Sequence, residues 1–342
     1  METSPTNSAM QATRRTFGVT LPHFGDIATD TISRAAVLAE NCGFDAVWVR
    51  DHLAAPLTSS GKSTEAVFID PVVTLATVAA LTQRISLGTA TLVPHRHPIH
   101  AASVLASLQF LAGGDRLIAG FGVGSDNGEF RAIGLGGVDR RELITEYISV
   151  LKHLWSGGSS FDGRFYNFQD IVIRPRPARD AIWISYCGTS KAALRRAVEC
   201  ADSWGPAKVP LHIYSSYLDR VQMLADREQR TPIPTAVSSL VALGRNRQDA
   251  LRGVDLAVRL AGVRKQFPPG PSGKYENVDD LDGIVIAGSS ADVAEGVSRY
   301  LAAGAQHFVF DLRFQFGKWE DQVQLVAEEV LPRLASCEAA QQ

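Results

Sequence analysis

Long apolar runs, clustered cysteines and an excess of either charge are all missing from this 342-residue chain. Thirty-four basic residues face thirty-six acidic ones, which leaves a net charge of −2. That balance offers no electrostatic footprint for nucleic acid or for an acidic membrane surface. No stretch approaches the roughly eighteen consecutive apolar residues that a membrane-spanning helix needs. Cys42, Cys187, Cys200 and Cys337 are scattered with no C-x-x-C pair, which argues against a disulfide scaffold or a thiolate zinc site. His95, His97 and His100 lie close together. Their spacing matches no common ligand motif and no carboxylate falls among them, so no metal is expected. Residues 1–15 are polar and lack the apolar segment of a secretory signal, so a cytoplasmic protein is the expectation.

What is present is rhythm. Hydrophobic residues make up 45% of the chain and charged residues 20%, the balance of an ordinary globular protein. Behind the polar tail, strand-like runs at 17–21, 45–50, 84–92, 116–123, 181–185, 235–243, 283–289 and 307–314 alternate with helix-like stretches. Residues 140–155 show the helical spacing well, with Leu143, Tyr147, Val150, Leu151 and Leu154 on one side. Pro98 suits the first turn of a helix running to Ala112. Two segments interrupt the pattern. Residues 156–180 carry a hairpin-like aromatic alternation that ends at Pro175 and Pro177, and residues 264–283 are polar and rich in Pro and Gly.

Eight strands with intervening helices, and no composition shift to mark a linker, predict one (β/α)8 TIM barrel over residues 16–336. The segments at about 156–180 and 264–283 are insertions in it, and 337–342 form a short tail. Apolar runs such as Val47-Trp48-Val49 and Phe308-Val309-Phe310 suit strands buried on both faces. An open dinucleotide-binding sheet needs a G-x-G-x-x-G turn after its first strand. The run Gly120-Phe121-Gly122-Val123-Gly124 is spaced differently and falls at the fourth strand.

In such a barrel, chemistry collects where strands end. His52, at the end of the second strand, is the leading acid/base candidate, because an imidazole changes charge near neutral pH. Asp51 beside it would either orient that ring or simply open a loop with it, and adjacent strand residues point to opposite faces. His23 is a weaker candidate, on a turn with Pro22 and Gly25. Gly188-Thr189-Ser190 precedes a helix, where it serves as a plain N-cap or as a phosphate cradle. Gly122-Val123-Gly124 either admits a flat ligand against the backbone or packs a strand tightly.

Six segments read together resemble the bacterial luciferase-like superfamily of TIM-barrel oxidoreductases, which use reduced FMN or coenzyme F420. They are residues 43–53, 84–102, 113–134, 160–177, 182–204 and 285–312, in family order and covering most of the chain. The resemblance implies that His52 is the active-site histidine. It places Ala90-Thr91 at a non-prolyl cis peptide behind the cofactor ring, with Gly122, Val123 and Gly124 running along that ring. Gly188, Thr189 and Ser190 match the phosphate turn, and the two insertions match segments that cover the pocket. Relatives often carry Gly-Gly-x-Ser before that helix, where Tyr186-Cys187-Gly188-Thr189-Ser190 stands in here, with Tyr186 expected to fill space over the ring or to contact substrate. Ser125, followed by Asp126, stands where sugar-phosphate dehydrogenases of the family carry an acid, and Val123 where luciferase α chains carry arginine.

Trp48, Asp51 and His52, with Arg96-His97-Pro98, are most similar to F420-dependent members. The function so implied is hydride transfer to or from a small organic substrate, with His52 supplying or taking a proton. The alternative is a two-component monooxygenase that takes FMNH2 from a separate reductase and inserts one oxygen atom from O2. A non-catalytic flavin-binding or structural subunit is the third reading. The resemblance also implies a homodimer.

Overall fold

Alternation of strand and helix produces a sheet of nine parallel strands in the computed structural model, which describes residues 10, 14–53, 67–178, 182–270 and 272–339. The strands are β1 (Thr16–Thr20), β2 (Ala46–Val49), β3 (Ser86–Thr89), β4 (Leu117–Phe121), β5 (Trp183–Tyr186), β6 (Ser203–Trp204), β7 (Ala236–Leu243), β8 (Val285–Gly288) and β9 (His307–Asp311). Their spatial order is β6-β5-β4-β3-β2-β1-β9-β7-β8. Bridges from Trp204 to Thr235 and from Ala207 to Ser238 join β6 to the β7 side, so eight strands close into the expected barrel.

The membership of the barrel differs from the sequence expectation at one place. β7 pairs with β9 through its first half and with β8 from Leu240 to Leu243. The strand expected at 283–289 therefore exists but flanks the closed ring, and Ser203–Trp204 supplies the missing barrel strand. Two residues are too few to show a period of two, which hides β6 in the sequence.

Helices α1 (Thr31–Asn41), α2 (Pro71–Leu81), α3 (Pro98–Ala112), α4 (Asn127–Ala132), α5 (Arg140–Ser156) and α6 (Lys191–Cys200) follow successive strands. Pro71 and Pro98 open α2 and α3, where the missing N–H costs nothing. The residues at 161–168 form a small antiparallel hairpin, and Glu146 on α5 pins it by accepting the N–H groups of Arg164, Phe165 and Tyr166 at 2.8–2.9 Å. This insertion packs against the helical layer, and among the described residues it contributes nothing to the lining of the axial cavity described below. Within 264–283, Arg264 donates to the Tyr275 carbonyl at 2.8 Å and the Tyr275 hydroxyl to that of Pro268 at 2.6 Å. Among the described residues, no helix is long and apolar enough to cross a membrane.

The approach to β3 is fixed by one side chain. Glu40, at the end of α1, accepts the N–H groups of Gln83, Arg84 and Ile85 at 2.7–3.1 Å. Burial alone would raise its pKa, but the three N–H donors outweigh that and hold the carboxyl below its ordinary value. Its contribution to stability is present above the unfolded pKa and is lost as pH falls through the lower folded one. Glu40→Gln is therefore expected to cost about 1–3 kcal/mol at pH 7. In urea titrations, the difference from wild type should shrink below pH 4.

Candidate active site

Three consecutive residues leave the end of β2 and part ways. Asp51 is buried and accepts two hydrogen bonds from Arg96, at 2.7 and 3.1 Å, and one from the Val93 N–H at 3.1 Å. Arg96 also bonds Asp70 at the start of α2. Asp51 thus anchors the loop after β3 and does not orient His52, as the alternation of neighbouring residues between faces demands. Arg50 and His52, two residues apart, share the other side, with Arg50 Nη2 3.3 Å from His52 Nε2.

The partner that orients His52 is Glu129 on α4. Its Oε1 lies 3.2 Å from His52 Nδ1 and accepts the Leu53 N–H at 2.9 Å, while Oε2 is 3.3 Å from His95 Nε2. The His95 contact is a close approach and not an aligned hydrogen bond. A carboxylate only accepts and a guanidinium only donates. His52 therefore carries its proton on Nδ1, toward Glu129, and offers the Nε2 lone pair toward Arg50. Burial pushes the His95 imidazole below its ordinary pKa, which favours its neutral form. Glu129 was not a candidate from sequence, being 77 residues from His52. Its one signal is an acid shortly after the glycines of β4. Asp126, nearer to those glycines, is occupied in capping α4 through the Gly128 and Glu129 N–H groups.

His23 is a staple. Its Nε2 accepts the Arg50 N–H and its Nδ1 donates to the Leu21 carbonyl, both at 2.9 Å. Burial lowers its pKa to about 4, so it stays neutral and ties the end of β1 to the end of β2.

Across the mouth, the Ala90–Thr91 peptide is cis, at the position where the resemblance implies such a bond. Ala90 lines a cavity on the barrel axis together with Trp48, Ser185, Cys187, Lys208 and Ser238. Gly122 and Gly124 answer to packing: a Cβ on them would lie 2.7 Å from Thr91 Oγ1 and 2.5 Å from Val93 Cγ1. Val123 between them packs on the core. Tyr186 differs from the expectation. It is only 1% exposed and belongs to the core under the helices, while its neighbours Ser185 and Cys187 face the cavity. Burial raises the Cys187 thiol to about 12, so it remains protonated.

At the start of α6, the exposed Ser190 caps the helix by accepting the Ala193 N–H at 3.1 Å. Gly188 offers its carbonyl to the Trp204 indole at 2.9 Å, with the half-buried Thr189 next in the turn. Lys191 and Ala192 lie in the first turn, whose N–H groups have no intrahelical acceptors. These N–H groups suit the phosphate of a cofactor tail. His52, the backbone at 90–91 and this turn together fit a flat redox ring carrying a phosphate. Among the described residues, no group of three or more His, Cys, Asp or Glu is placed to hold a metal ion.

A family model described as luciferase-like monooxygenase matches residues 6–307. The F420-dependent glucose-6-phosphate dehydrogenase of Nakamurella multipartita is 27% identical over 320 residues, covering 87% of this chain and 91% of that protein. Among solved structures, the coenzyme F420 dependent tetrahydromethanopterin reductase of Methanopyrus kandleri superposes with a TM-score of 0.75 at 20% identity, covering 94% of this chain and 99% of its own. The oxygenating constituent of 3,6-diketocamphane monooxygenase from Pseudomonas putida, in complex with FMN, superposes with a TM-score of 0.74 at 17% identity, covering 94% and 98%. These two likenesses concern the fold.

The His52–Glu129 contact makes a spectroscopic prediction. In protein labelled with 15N-histidine, the neutral His52 ring should carry its proton on Nδ1. Glu129→Ala should convert that signal to a mixture of tautomers, whereas a merely structural Glu129 would leave it unchanged.

Proposed function

Because the chain belongs to the luciferase-like monooxygenase family, we propose that it is an F420-dependent oxidoreductase moving a hydride to or from a small organic substrate. The observation that carries this reading is the likeness to an F420-dependent dehydrogenase along 91% of that protein's length. It is supported by a histidine held ready for proton transfer at the barrel mouth. The deazaflavin would supply the centre that donates or accepts the hydride. Of this chain's residues, Ala90 and Thr91 would back the ring, with Gly122, Val123 and Gly124 beside them. The turn at Gly188, Thr189 and Ser190 would hold the phosphate.

His52 moves the proton. Its Nε2 lone pair takes one when an alcohol is oxidised and returns it when a carbonyl or activated double bond is reduced. Glu129 faces the imidazolium so formed and stabilises it. Asp51 supports the site from behind by fixing the loop that carries Ala90 and Thr91. Ser125 stands where the resemblance implies an acid in sugar-phosphate dehydrogenases, and Asp126 caps α4, so glucose 6-phosphate is not carried over as the substrate. Reduced FMN, delivered by a separate reductase for oxygen insertion, is the second reading, supported by the fold shared with an FMN-bound oxygenating constituent.

The dimer implied by the resemblance has a candidate surface. Val73 and Leu81 on α2 and Phe110 and Leu111 on α3 are 45–71% exposed, on two helices in mutual contact. Apolar side chains so grouped favour cover by a second copy.

Titration with F420 and FMN, oxidised and reduced, should give micromolar or tighter binding of F420 alone. His52→Ala should keep that affinity within a few-fold while turnover falls by ~100-fold. Unchanged turnover would remove His52 from the mechanism, and preference for reduced FMN would replace the reading with the oxygenase. In sedimentation, the wild type should run as a dimer, and Phe110→Glu with Leu111→Glu as a monomer.

A further inference from the structure

The axial cavity carries a charge that the reaction described above does not use. Arg50 enters from the end of β2, Lys208 from the turn after β6 and Arg313 from the end of β9, all lining the same space. Arg259, on the helix Leu256–Arg264, adds its field to theirs. Among the described residues, Asp311 is the single carboxylate lining that space. It is buried and engaged by the Arg313 guanidinium through two hydrogen bonds.

Four cations around one anion leave an uncompensated positive field. Among the described residues, no carboxylate lies within ion-pair distance of Lys208, Arg50 or Arg259. Arg50 makes its polar contact with His52, and Arg259 lies over the Phe314 ring at 5.3 Å. Lys208, Arg50 and Arg259 are half-buried, and partial withdrawal from water without a carboxylate partner carries a cost that a bound anion would offset. Lys208 adds a second observation, since its backbone sits at φ 57°, a left-handed conformation that non-glycine residues rarely adopt and that concentrates at ligand sites.

We propose that the axial cavity is the substrate's anion subsite, in which Lys208, Arg50 and Arg313 hold a carboxylate or phosphate group of the molecule that exchanges the hydride. This rests on the oxidoreductase reading for what the substrate does, but the binding of the anion does not depend on it. The same cavity includes Ala90 and reaches His52 through Arg50. A bound anion therefore orients the reacting carbon between the ring site and the proton carrier. The titration of Lys208 agrees. Burial, followed by the fields of Arg313, Arg50 and Arg259 and opposed by Asp311, lowers its pKa to about 7, and an anion in the cavity would restore its charge.

The test uses the full chain without cofactor and sulfate as the probe, followed by calorimetry at pH 6, with acetate as a parallel arm. Sulfate should bind with one site per chain, and Lys208→Met should weaken it about tenfold or more. Tighter sulfate than acetate would indicate a phosphate-bearing substrate, and the reverse a carboxylate. Lys208→Met should also raise the thermal midpoint in the absence of anion, because a half-buried cation without a carboxylate partner is removed.

Ala207→Asp, at an exposed position on the cavity wall, should abolish binding by supplying an internal carboxylate. Wild-type affinity should fall between pH 6 and pH 9 as Lys208 loses its proton. Sulfate holds its charge over that range, a guanidinium is not deprotonated in it, Asp311 stays ionised and the Cys187 thiol stays neutral. The fall should be lost in Lys208→Met, which assigns it to Lys208 and not to the His52 ring beside Arg50. No sulfate binding to the wild type, or wild-type affinity in either variant, would overturn the proposal. Sulfate binding that behaves as stated in a protein that binds no deazaflavin would overturn the cofactor reading and leave this one standing.

Discussion

The indole of Trp48 is the floor on which the active site is built. It lies inside the barrel and donates from Nε1 to His307 Nε2 at 3.0 Å, while His307 Nδ1 lies 2.7 Å from the Thr16 hydroxyl. Burial drives His307 down to about 3, so the imidazole stays neutral and keeps a lone pair for the indole. The ring fits because two neighbouring strands make room. A Cβ at Gly18 or Gly88 would lie 2.6 or 2.5 Å from it, closer than any side-chain carbon tolerates. Met10, Ala46, Ile118, Ala236 and Val309 cluster with Trp48, and the cavity opens beside it.

Above that floor the mouth is divided by charge. On the side of the loops after β3 and β4, Asp51 and Asp70 are tied to Arg96, and Glu129 lies between two imidazoles. Toward the axis lie Arg50, Lys208 and Arg313. Arg50 borders both, because its guanidinium touches His52 while its backbone N–H is held by His23. The proton carrier thus sits between a carboxylate that fixes its tautomer and a cation that shares its free nitrogen. Buried charges of this kind stabilise a fold weakly at best. Their arrangement here is better explained by what happens at the mouth than by stability.

The barrel, its two interruptions and the placing of His52 were legible in the sequence, because strand and helix periods are local and strand ends are where this fold collects chemistry. Three features were not. β6 is two residues long and carries no period. The side of β5 that faces the axis cannot be read from a strand whose two faces are both buried, so Tyr186 was expected at the site where Ser185 and Cys187 lie. A shift of one residue exchanges the faces entirely. Glu129 and His52 meet only after β3 and β4 have been laid side by side, and Lys208 and Arg313 only after the barrel has closed. Such proximity belongs to topology, and no spacing in the chain encodes it.

The way β7 is shared has an evolutionary consequence. Because it leaves β9 at the Leu240–Asp311 pair and continues beside β8, Arg313 lies beyond the ladder. Lys208 likewise lies beyond the last residue of β6. Lys208 keeps one ladder bond, from its N–H to the Ser238 carbonyl at 2.7 Å, but that backbone bond tolerates any side chain except proline. Selection can therefore exchange these groups to suit a new substrate while Trp48, its glycines and the His52–Glu129 pair stay as they are. The groups that set what is accepted and the groups that hold the fold occupy separate parts of one mouth, so a descendant of this enzyme could change what it accepts without relearning how to fold.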